Sequence, residues 1–377
     1  MFIINSEPMN FTVSSSLLLD HLQKADGAID ANPTMAILQD FKFDVKGGKL
    51  EIRGTDLTTS VTTSLEVEHE GDFSFVVPAK ILVNTLKATP EQPIDVQYDE
   101  ENHRVTVTNS MGKYHMATGS IHEYPSLPQV EHAQKIQLPA SILLEGLAKT
   151  VFATSTDQAR RAMMGVYTIV EEGRLTLAST DAHKLVEFVF EDENIHGEAD
   201  FILPKKGVNL VRSILDSGDE VTFQFNPQHA FFQFEETQVA CKLIEANYPD
   251  YKNIIPKDNN TELSVNRNDF LQSLKRISIF TNESTRQVSL NLNEDSLTLI
   301  ARDIDYSNDA KEQLACFYKG EPIQIAFNAR FLLEMISVLD SDEIVFQINS
   351  PNRAVLVLPS EQNESQKLTM LIMPIII

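Results

Sequence analysis

One pattern of residues occurs three times along this 377-residue chain, and it restricts the possible folds more than any other feature. An alternating strand pattern followed by a helix start appears as FTVSSSLLLDHLQK at residues 11–24, IQLPASILLEGLAK at 136–149 and LSVNRNDFLQSLKR at 263–276. The copies are 125 and 127 residues apart. Because a solenoid unit has only about 20 to 50 residues, this period predicts three copies of a whole domain.

Three further marks recur in the same order in each copy. The segments VVPAKILVNTL, ILPKKGVNLVR and AFNARFLLEMI each place a proline or asparagine at a predicted helix N-terminus: Pro78, Pro204 and Asn328. An aspartate follows an alternating strand pattern in each copy: Asp56, Asp181 and Asp303. A proline closes each copy: Pro125, Pro249 and Pro374. Agreement among four marks supports the threefold repeat.

Alternating runs such as KLEI, RVTVT and VSLNL, separated by turn clusters such as NEDS and DEEN, indicate hairpin-linked antiparallel strands. Each copy is therefore expected to have an α+β fold, with two helices packed on antiparallel sheets. Loops near EHAQK and KDNNTE set the boundaries. The predicted domains are 1–130, 131–259 and 260–377.

Composition narrows the class of protein. Hydrophobic residues make up 42% of the chain, and it contains no run of eighteen apolar positions, which argues against a membrane-spanning helix. The start MFIINSEPMNF lacks a basic segment before an apolar one, so we expect a cytoplasmic protein. Cys241 and Cys316 stand apart from any histidine cluster, and no glycine-rich phosphate loop occurs. We therefore expect no metal and no cofactor.

The formal net charge of −23 argues against nucleic-acid binding, but the charge is unevenly distributed. The six predicted helical segments hold 11 basic and 7 acidic residues, whereas the rest of the chain holds 20 and 47. Helical phase places a cation on the exposed side of each helix. These cations and their basic neighbours predict a weak, sequence-independent surface for phosphates. The predicted DNA-facing residues are Lys24, Lys80, Lys149, Lys205, Lys206, Arg212, Arg276 and Arg330.

From Met9 onward the chain resembles the bacterial sliding clamp family, through VPAKIL, EYPSLP, ARRAMMGV, STDAHKL, LIEANYPDYKNIIP, FNARFLLEMISVLDSDEI and a terminal Met373-Pro374. Residues 1–8 lie outside the resemblance and are expected to be an extension. The resemblance implies a head-to-tail homodimer, closed as a ring of six domains around duplex DNA with the helices inside. It also implies that replicative polymerase, clamp loader, and repair and translesion enzymes bind through short peptides with hydrophobic and glutamine anchors.

The same resemblance implies two protein-binding sites. The partner-peptide pocket would consist of Met163, Thr180, Ala182, His183, Lys184, Leu185, Pro249, Ile254, Met373, Pro374 and Ile375. The dimer interface would include Tyr114, Met116, Ile279 and Phe280. The chain departs from the family pattern at Ala182, usually glycine, at Lys184, usually arginine, and at its apolar end, Ile375 to Ile377. These departures predict an altered peptide preference.

Two other classes of function stay open from the sequence. An enzyme could use Ser179, Asp181 and His183 as a hydrolytic cluster. The repeat argues against it, because the equivalent Asp56 and Asp303 have no histidine nearby and a structural aspartate explains all three. The other alternative is a scaffold that binds peptides but never DNA, which the net charge would favour.

Overall fold

The computed structural model describes residues 9–131 and 133–376. The predicted extension at residues 1–8 lies outside the described residues, as do His132 and Ile377. The described chain divides into two compact units. The first contains the described residues up to Ser141 together with Asn209–Leu243, and the second contains Ile142–Val208 together with the described residues from Ile244 onward.

The described residues form six α-helices and 26 strands. The helices are α1 (Ser15–Asp26), α2 (Ala79–Lys87), α3 (Ala140–Val151), α4 (Lys205–Ile214), α5 (Arg267–Ser278) and α6 (Ala329–Ser337). Short 3-10 helices occupy Ala36–Gln39, Ile121–Glu123, Gln158–Met164 and Lys252–Ile254. Across the part of the chain that the structure describes, none of the helices combines the length and apolar character needed to cross a membrane.

The strands are listed here in chain order. The first nine are β1 (Asn10–Ser14), β2 (Asp40–Lys46), β3 (Lys49–Thr55), β4 (Thr59–Glu66), β5 (Glu68–Glu70), β6 (Phe73–Pro78), β7 (Pro93–Asp99), β8 (Arg104–Thr108) and β9 (Lys113–Ala117). The next eight are β10 (Gln134–Pro139), β11 (Gly165–Glu171), β12 (Arg174–Thr180), β13 (Lys184–Glu191), β14 (Ala199–Pro204), β15 (Glu220–Phe225), β16 (His229–Phe234) and β17 (Thr237–Lys242). The last nine are β18 (Thr261–Asn266), β19 (Gln287–Leu292), β20 (Ser296–Asp303), β21 (Asn308–Ala315), β22 (Phe317–Lys319), β23 (Ile323–Asn328), β24 (Glu343–Ile348), β25 (Val355–Pro359) and β26 (Gln366–Ile372).

Each predicted helix follows directly on a strand, as the repeated pattern indicates. The strands β6, β14 and β23 end on Pro78, Pro204 and Asn328, and a helix begins at the next residue. The Asn328 side chain accepts a hydrogen bond from the Arg330 amide and so caps α6. The predicted i, i+4 pairs that anchor α1, α3 and α5 are all completely buried: Leu18 and Leu22, Leu143 and Leu147, and Phe270 and Leu274. The periodicity therefore identified the core-facing side of these helices correctly.

The first unit contains two antiparallel sheets. Five strands follow the order β5-β1-β7-β8-β9, and eight follow the order β10-β15-β16-β17-β4-β3-β2-β6. Within the larger sheet, β17 pairs with β4, so that Val239 lies opposite Val61. Fully buried aromatic residues, including Phe11, Phe43 and Phe75, form part of the core of this unit. Burial of this much apolar area is the main stabilising contribution.

The second unit also contains two antiparallel sheets. Nine strands follow the order β14-β11-β12-β13-β26-β25-β24-β18-β22, and four follow the order β21-β20-β19-β23. The pairing of β13 with β26 places Leu185 opposite Leu371, near the C-terminal end of the chain. The predicted α+β class with antiparallel sheets is confirmed.

Sheet continuity explains why three sequence copies give two compact units. The strands β10 and β15 to β17 of the middle copy join a sheet of the first unit, whereas β11 to β14 join a sheet of the second. Hydrogen bonding across copy boundaries therefore groups the halves of the middle copy with different neighbours. The division into three domains stays a prediction.

Candidate functional site

The turn between β12 and β13 forms one part of the predicted pocket. The Asp181 carboxylate accepts hydrogen bonds from the amides of His183 and Lys184, each at 2.9 Å. The Thr180 hydroxyl donates to the Lys184 carbonyl at 2.7 Å and accepts from the Ala182 amide at 3.1 Å. These contacts hold Ala182 at a φ of +77°. The aspartate and threonine therefore shape the turn with their side chains.

The equivalent turn after β3 has the same construction. The Asp56 carboxylate accepts from the amides of Thr58 and Thr59, and Leu57 at the tip has a φ of +77°. The Thr55 hydroxyl makes the same pair of hydrogen bonds as Thr180. This agreement supports the interpretation of the repeated aspartate as structural.

The same contacts argue against a hydrolytic cluster in this turn. Ser179 is completely buried, and its hydroxyl donates to the Thr150 carbonyl. The His183 ring stacks on Phe331 at 6.0 Å, while the Asp181 carboxylate binds backbone amides and Lys184. A hydrolytic cluster needs a hydrogen bond between nucleophile and base and a second one between base and orienting acid. These three side chains make other contacts instead.

Strand pairing brings the C-terminal segment to this turn. Lys184 lies opposite Ile372 in the β13 and β26 ladder, and the Met373 amide donates to the His183 carbonyl at 2.8 Å. Two residues later, the Ile375 amide donates to the Ala326 carbonyl at 2.7 Å. The residues after β26 are thus held beside the turn by backbone hydrogen bonds.

The NYPDY segment contributes the third part. Tyr248 stacks on Tyr167 of β11 with ring centroids 4.5 Å apart, and Tyr251 meets both rings edge-on. The Tyr251 hydroxyl donates to Glu187 at 2.7 Å, and burial raises the pKa of Tyr251. Because Tyr251 also packs in a core cluster with Leu185, this segment is fixed against β13. The three predicted pocket segments therefore meet in the second unit.

The predicted pocket residues differ in exposure. Thr180, Lys184 and Leu185 are buried, so their side chains offer little surface of their own, and their part in the pocket stays a prediction. Ile254 is 53% exposed and Met373 is 38% exposed, and Ala182 and His183 are also exposed. Partly buried residues complete the set: Met163, Pro249, Pro374 and Ile375. Exposed apolar side chains at loop ends suit peptide recognition.

Lys184 is a buried cation whose charge is paired within the protein. Its ammonium lies 2.6 Å from an Asp181 oxygen, 3.3 Å from a Glu334 oxygen and 4.2 Å from the Phe331 ring centroid. Only 4% of its side chain is exposed. Two carboxylates and an aromatic face compensate for the lost hydration.

The predicted DNA-facing cations are in more varied settings than the sequence indicates. Lys80 and Arg212 are exposed, whereas Lys205 and Lys206 are partly buried. Lys24 pairs with Asp20 at 3.2 Å. Arg276 forms a two-bond contact with Glu312, and Arg330 pairs with Glu334 at 2.9 Å.

Lys149 corrects the expectation of uniform exposure. Its side chain is only 14% exposed and lies between Glu145 and Asp340, the latter at 3.3 Å. Helical phase could not predict this contact, because Asp340 is far away in sequence.

The predicted dimer residues also separate into two groups. Ile279 is 77% exposed, Phe280 39% and Tyr114 37%. Met116 is only 4% exposed, since its side chain points to the covered face of β9. Its side chain therefore has little surface for a subunit contact, and the assignment of all four residues to the dimer interface stays a prediction.

A cavity of about 480 Å³ lies beside Lys184 in the second unit. Sequence reasoning missed three residues that line it with Lys184: Arg160, Phe331 and Glu334. Phe331 had a detectable signal, because it is a large apolar residue adjoining Leu332 but outside the buried side of α6. Among the described residues, no group of three histidine, cysteine, aspartate or glutamate side chains has an arrangement suited to a metal ion.

Comparison with known proteins identifies similar chains over most of the length. Three family models match in succession: the N-terminal domain of the DNA polymerase III beta subunit at residues 9–128, the central domain at 137–250 and the C-terminal domain at 252–376. The beta sliding clamp of Synechococcus elongatus is 29% identical over 356 residues, covering 92% of this chain and 94% of that protein. The beta sliding clamp of Treponema pallidum is 27% identical and covers 92% and 95%.

Solved structures agree in fold. The sliding clamp of Bartonella birtlesii, solved bound to griselimycin, has a TM-score of 0.91 and 28% identity, covering 98% of this chain and all of that one. The DNA polymerase sliding clamp of Pseudomonas aeruginosa has a TM-score of 0.92 at 23% identity, with the same coverage.

Proposed function

The chain belongs to the DNA polymerase III beta subunit family, and from this membership we propose that it is a DNA sliding clamp for replication. It encircles duplex DNA without reading sequence and tethers the replicative polymerase. The observation that carries this proposal is the match, in order, to all three domains of the family along one chain. We propose the predicted domains 1–130, 131–259 and 260–377 as the corresponding units of structure.

The distribution of cations supports weak contact with DNA. Lys80 and Arg212 are exposed on α2 and α4, and Lys24, Arg276 and Arg330 are paired with single carboxylates. Such surface pairs contribute only about 0 to 1 kcal/mol, so a phosphate can replace the carboxylate at little cost. A small number of strong phosphate contacts is what we expect of a protein that slides along DNA.

We propose that the clamp itself has no catalytic site. The three residues that could have formed a hydrolytic cluster are each engaged in turn or core contacts. Chemistry would then come from the enzymes that the clamp tethers.

Partner enzymes and the clamp loader are proposed to bind at the meeting point of the β12–β13 turn, the NYPDY segment and the residues after β26. Ile254 and Met373 have exposed apolar side chains there. Leu185 and Tyr251 of the same region are buried in one core cluster. A short peptide with hydrophobic anchors would bury these side chains.

Homodimerisation is proposed to join two sheet edges. The strand β9 lies at one end of the five-stranded sheet, and β21 lies at one end of the four-stranded sheet. An edge strand has unpaired backbone groups that can bind another strand. A head-to-tail contact between β9 of one chain and β21 of another is heterologous, because it joins two different surfaces. Such contacts close a ring when the rotation from one chain to the next leads back to the first chain.

Retention on circular DNA tests the proposal. Protein loaded on a closed circular plasmid should stay bound through gel filtration, and cutting the plasmid once should release it, because a ring slides off a free end. A mock digestion with inactivated nuclease is the control. Equal loss from circular and linear plasmid would contradict topological linkage and favour a scaffold that binds peptides alone.

A further inference from the structure

The residues that follow α5 include the most exposed apolar side chain of the proposed subunit contact. Ile279 is 77% exposed and Phe280 is 39% exposed. The helix ends at Ser278, and the Phe280 amide donates to the Ile277 carbonyl at 3.0 Å, which closes a tighter final turn. Side chains this exposed have few packing contacts, so their position depends on what holds the backbone beside them.

Asn282 holds this backbone through both ends of its side-chain amide. Its Nδ2 donates to an Asp305 oxygen at 2.8 Å and to an Asp303 oxygen at 3.3 Å. Its Oδ1 accepts from the Ser284 backbone amide at 3.0 Å. An amide side chain suits this position because it donates from nitrogen and accepts on oxygen, whereas a carboxylate can only accept. Asn282 therefore connects the segment after α5 to the turn after β20.

The third copy uses its repeated aspartate differently from the first two. Asp56 and Asp181 each accept hydrogen bonds from two amides of their own turn. Asp303 instead accepts from the Asp305 amide at 3.1 Å and from the Asn282 side chain, and it is only 6% exposed. This difference occurs in the copy that carries the exposed apolar residues after α5.

A second contact joins α5 to the strand that is proposed to pair with a partner chain. Arg276 donates two hydrogen bonds to Glu312 of β21, at 2.8 and 2.6 Å. Such a two-bond contact fixes direction as well as distance. Because β21 follows the turn that Asn282 binds, α5 and the β20–β21 hairpin are linked at two places. The exposed apolar residues and the edge strand are therefore held in a fixed relation to one another.

We propose that Asn282 is the positioning residue of the subunit contact. It holds Ile279 and Phe280 beside β21, so that the apolar residues and the edge strand meet a partner chain together. The inference rests on the proposed homodimerisation and adds a residue that acts through its neighbours. Association costs less free energy when the contacting groups are already ordered, because less freedom is lost on binding. Loss of the Asn282 contacts should therefore weaken the dimer.

An exchange of side chains between positions 282 and 305 tests this role. Asn282→Asp removes the donor and places a third carboxylate beside Asp303 and Asp305, so the dissociation constant of the dimer should rise about tenfold. Adding Asp305→Asn to this variant restores an amide that faces a carboxylate, and should return the constant to within about threefold of the wild-type value. Analytical ultracentrifugation of fluorescently labelled chains over a dilution series measures the constant.

Asn194→Asp is the matched control. The Asn194 amide also donates to an aspartate, Asp192, at 2.8 Å, but it lies in the loop between β13 and β14. The same chemical change at this exposed loop should leave the dissociation constant of the dimer unchanged.

A double-mutant cycle with Phe280→Ala separates positioning from a general loss of stability. If Asn282 acts through Phe280, Asn282→Asp should raise the dissociation constant less in the Phe280→Ala protein than in the wild type. Equal increases in the two proteins would overturn the inference, as would a loss of affinity that Asp305→Asn does not restore. An unchanged constant for Asn282→Asp would overturn it and leave the proposed dimer intact. A wild-type chain that stays a monomer at every concentration would overturn the proposed homodimerisation and the inference together.

Discussion

Leu57 and Ala182 adopt left-handed backbone at the tips of equivalent turns, with φ of +77° each. That conformation costs a residue with a Cβ about 1–2 kcal/mol, which is why the family resemblance leads one to expect glycine at position 182. Here the carboxylates of Asp56 and Asp181 each bind two amides of the turn and hold it in shape. Side-chain hydrogen bonds therefore stabilise a backbone conformation that glycine would adopt more easily. Ala182 also adds one methyl group to the exposed surface.

Asp40 makes the stability of the folded protein depend on pH. Its carboxylate lies close to Gly119, among Ile37 and Val76 of a buried apolar cluster. Burial raises the pKa of Asp40 from 3.8 to about 6. The folded protein thus binds this proton more tightly than the unfolded chain, so stability decreases as pH rises from about 4 to about 6.

We expect Asp40→Asn to remove this part of the pH dependence. The difference in free energy of unfolding between the variant and wild type should grow in favour of the variant from pH 4 to pH 7 and then level off. Urea denaturation across that range measures it, with Asp295→Asn, at an exposed turn, as the control. A difference that is constant with pH would contradict the assignment.

At the scale of the element, equivalent helix positions acquire different roles. Lys24, Lys149 and Arg276 all follow the second residue of a buried i, i+4 pair by two positions. Lys149 nevertheless connects α3 to the residue Asp340 that follows α6, and Arg276 connects α5 to Glu312 of β21. Two members of the repeated cation set thus tie elements together within the second unit.

Charge reversal at Lys149 should therefore reduce stability. Lys149→Glu removes contacts to Glu145 and Asp340 and places a third carboxylate between them. We expect a loss of about 1–3 kcal/mol in free energy of unfolding, measured by urea denaturation. Lys80→Glu, at an exposed site on α2, should change it by less than about 0.5 kcal/mol. Equal stability of the two variants would show that the Lys149 contacts do not stabilise the fold.

The residues after β26 are the other element with a separable role. Deleting residues 373–377 leaves β26, which ends at Ile372, but removes the Met373 and Ile375 backbone contacts. Affinity for a partner peptide should fall more than about tenfold, because an apolar wall of the site is lost, while the denaturation midpoint changes little. Fluorescence anisotropy measures the affinity, and Glu364→Ala in the preceding exposed loop is the control. Unchanged affinity would remove this segment from the site.

At the scale of the whole molecule, self-association decides whether DNA can be encircled. Ile279, exposed at 77%, is the most exposed residue of the proposed interface, and a charge there would be costly to bury. Ile279→Asp should give the mass of one chain in light scattering, where the wild type gives two. Ile81→Asp, at a residue 55% exposed on α2, should leave the two-chain mass unchanged. A two-chain mass for Ile279→Asp would exclude Ile279 from the interface.

The amino-acid sequence alone determined the features that depend on nearby residues. The six strand-to-helix junctions and the buried pairs such as Leu18 with Leu22 follow from local periodicity, and the structure has all of them. The interpretation of the repeated aspartate as structural agrees with Asp56 and Asp181, which each bind two amides of their turns. The family was also recognisable, because its motifs extend over all three copies.

Only the tertiary structure decided which distant residues meet. It places Asp340 against Lys149, turns Met116 to the covered face of β9 and brings Lys205 and Arg330 to one cavity with His183. It also joins the middle copy to both neighbours through continuous sheets. Strand pairing and ion pairing act through space, so residues separated by many positions along the chain become partners that no local pattern specifies.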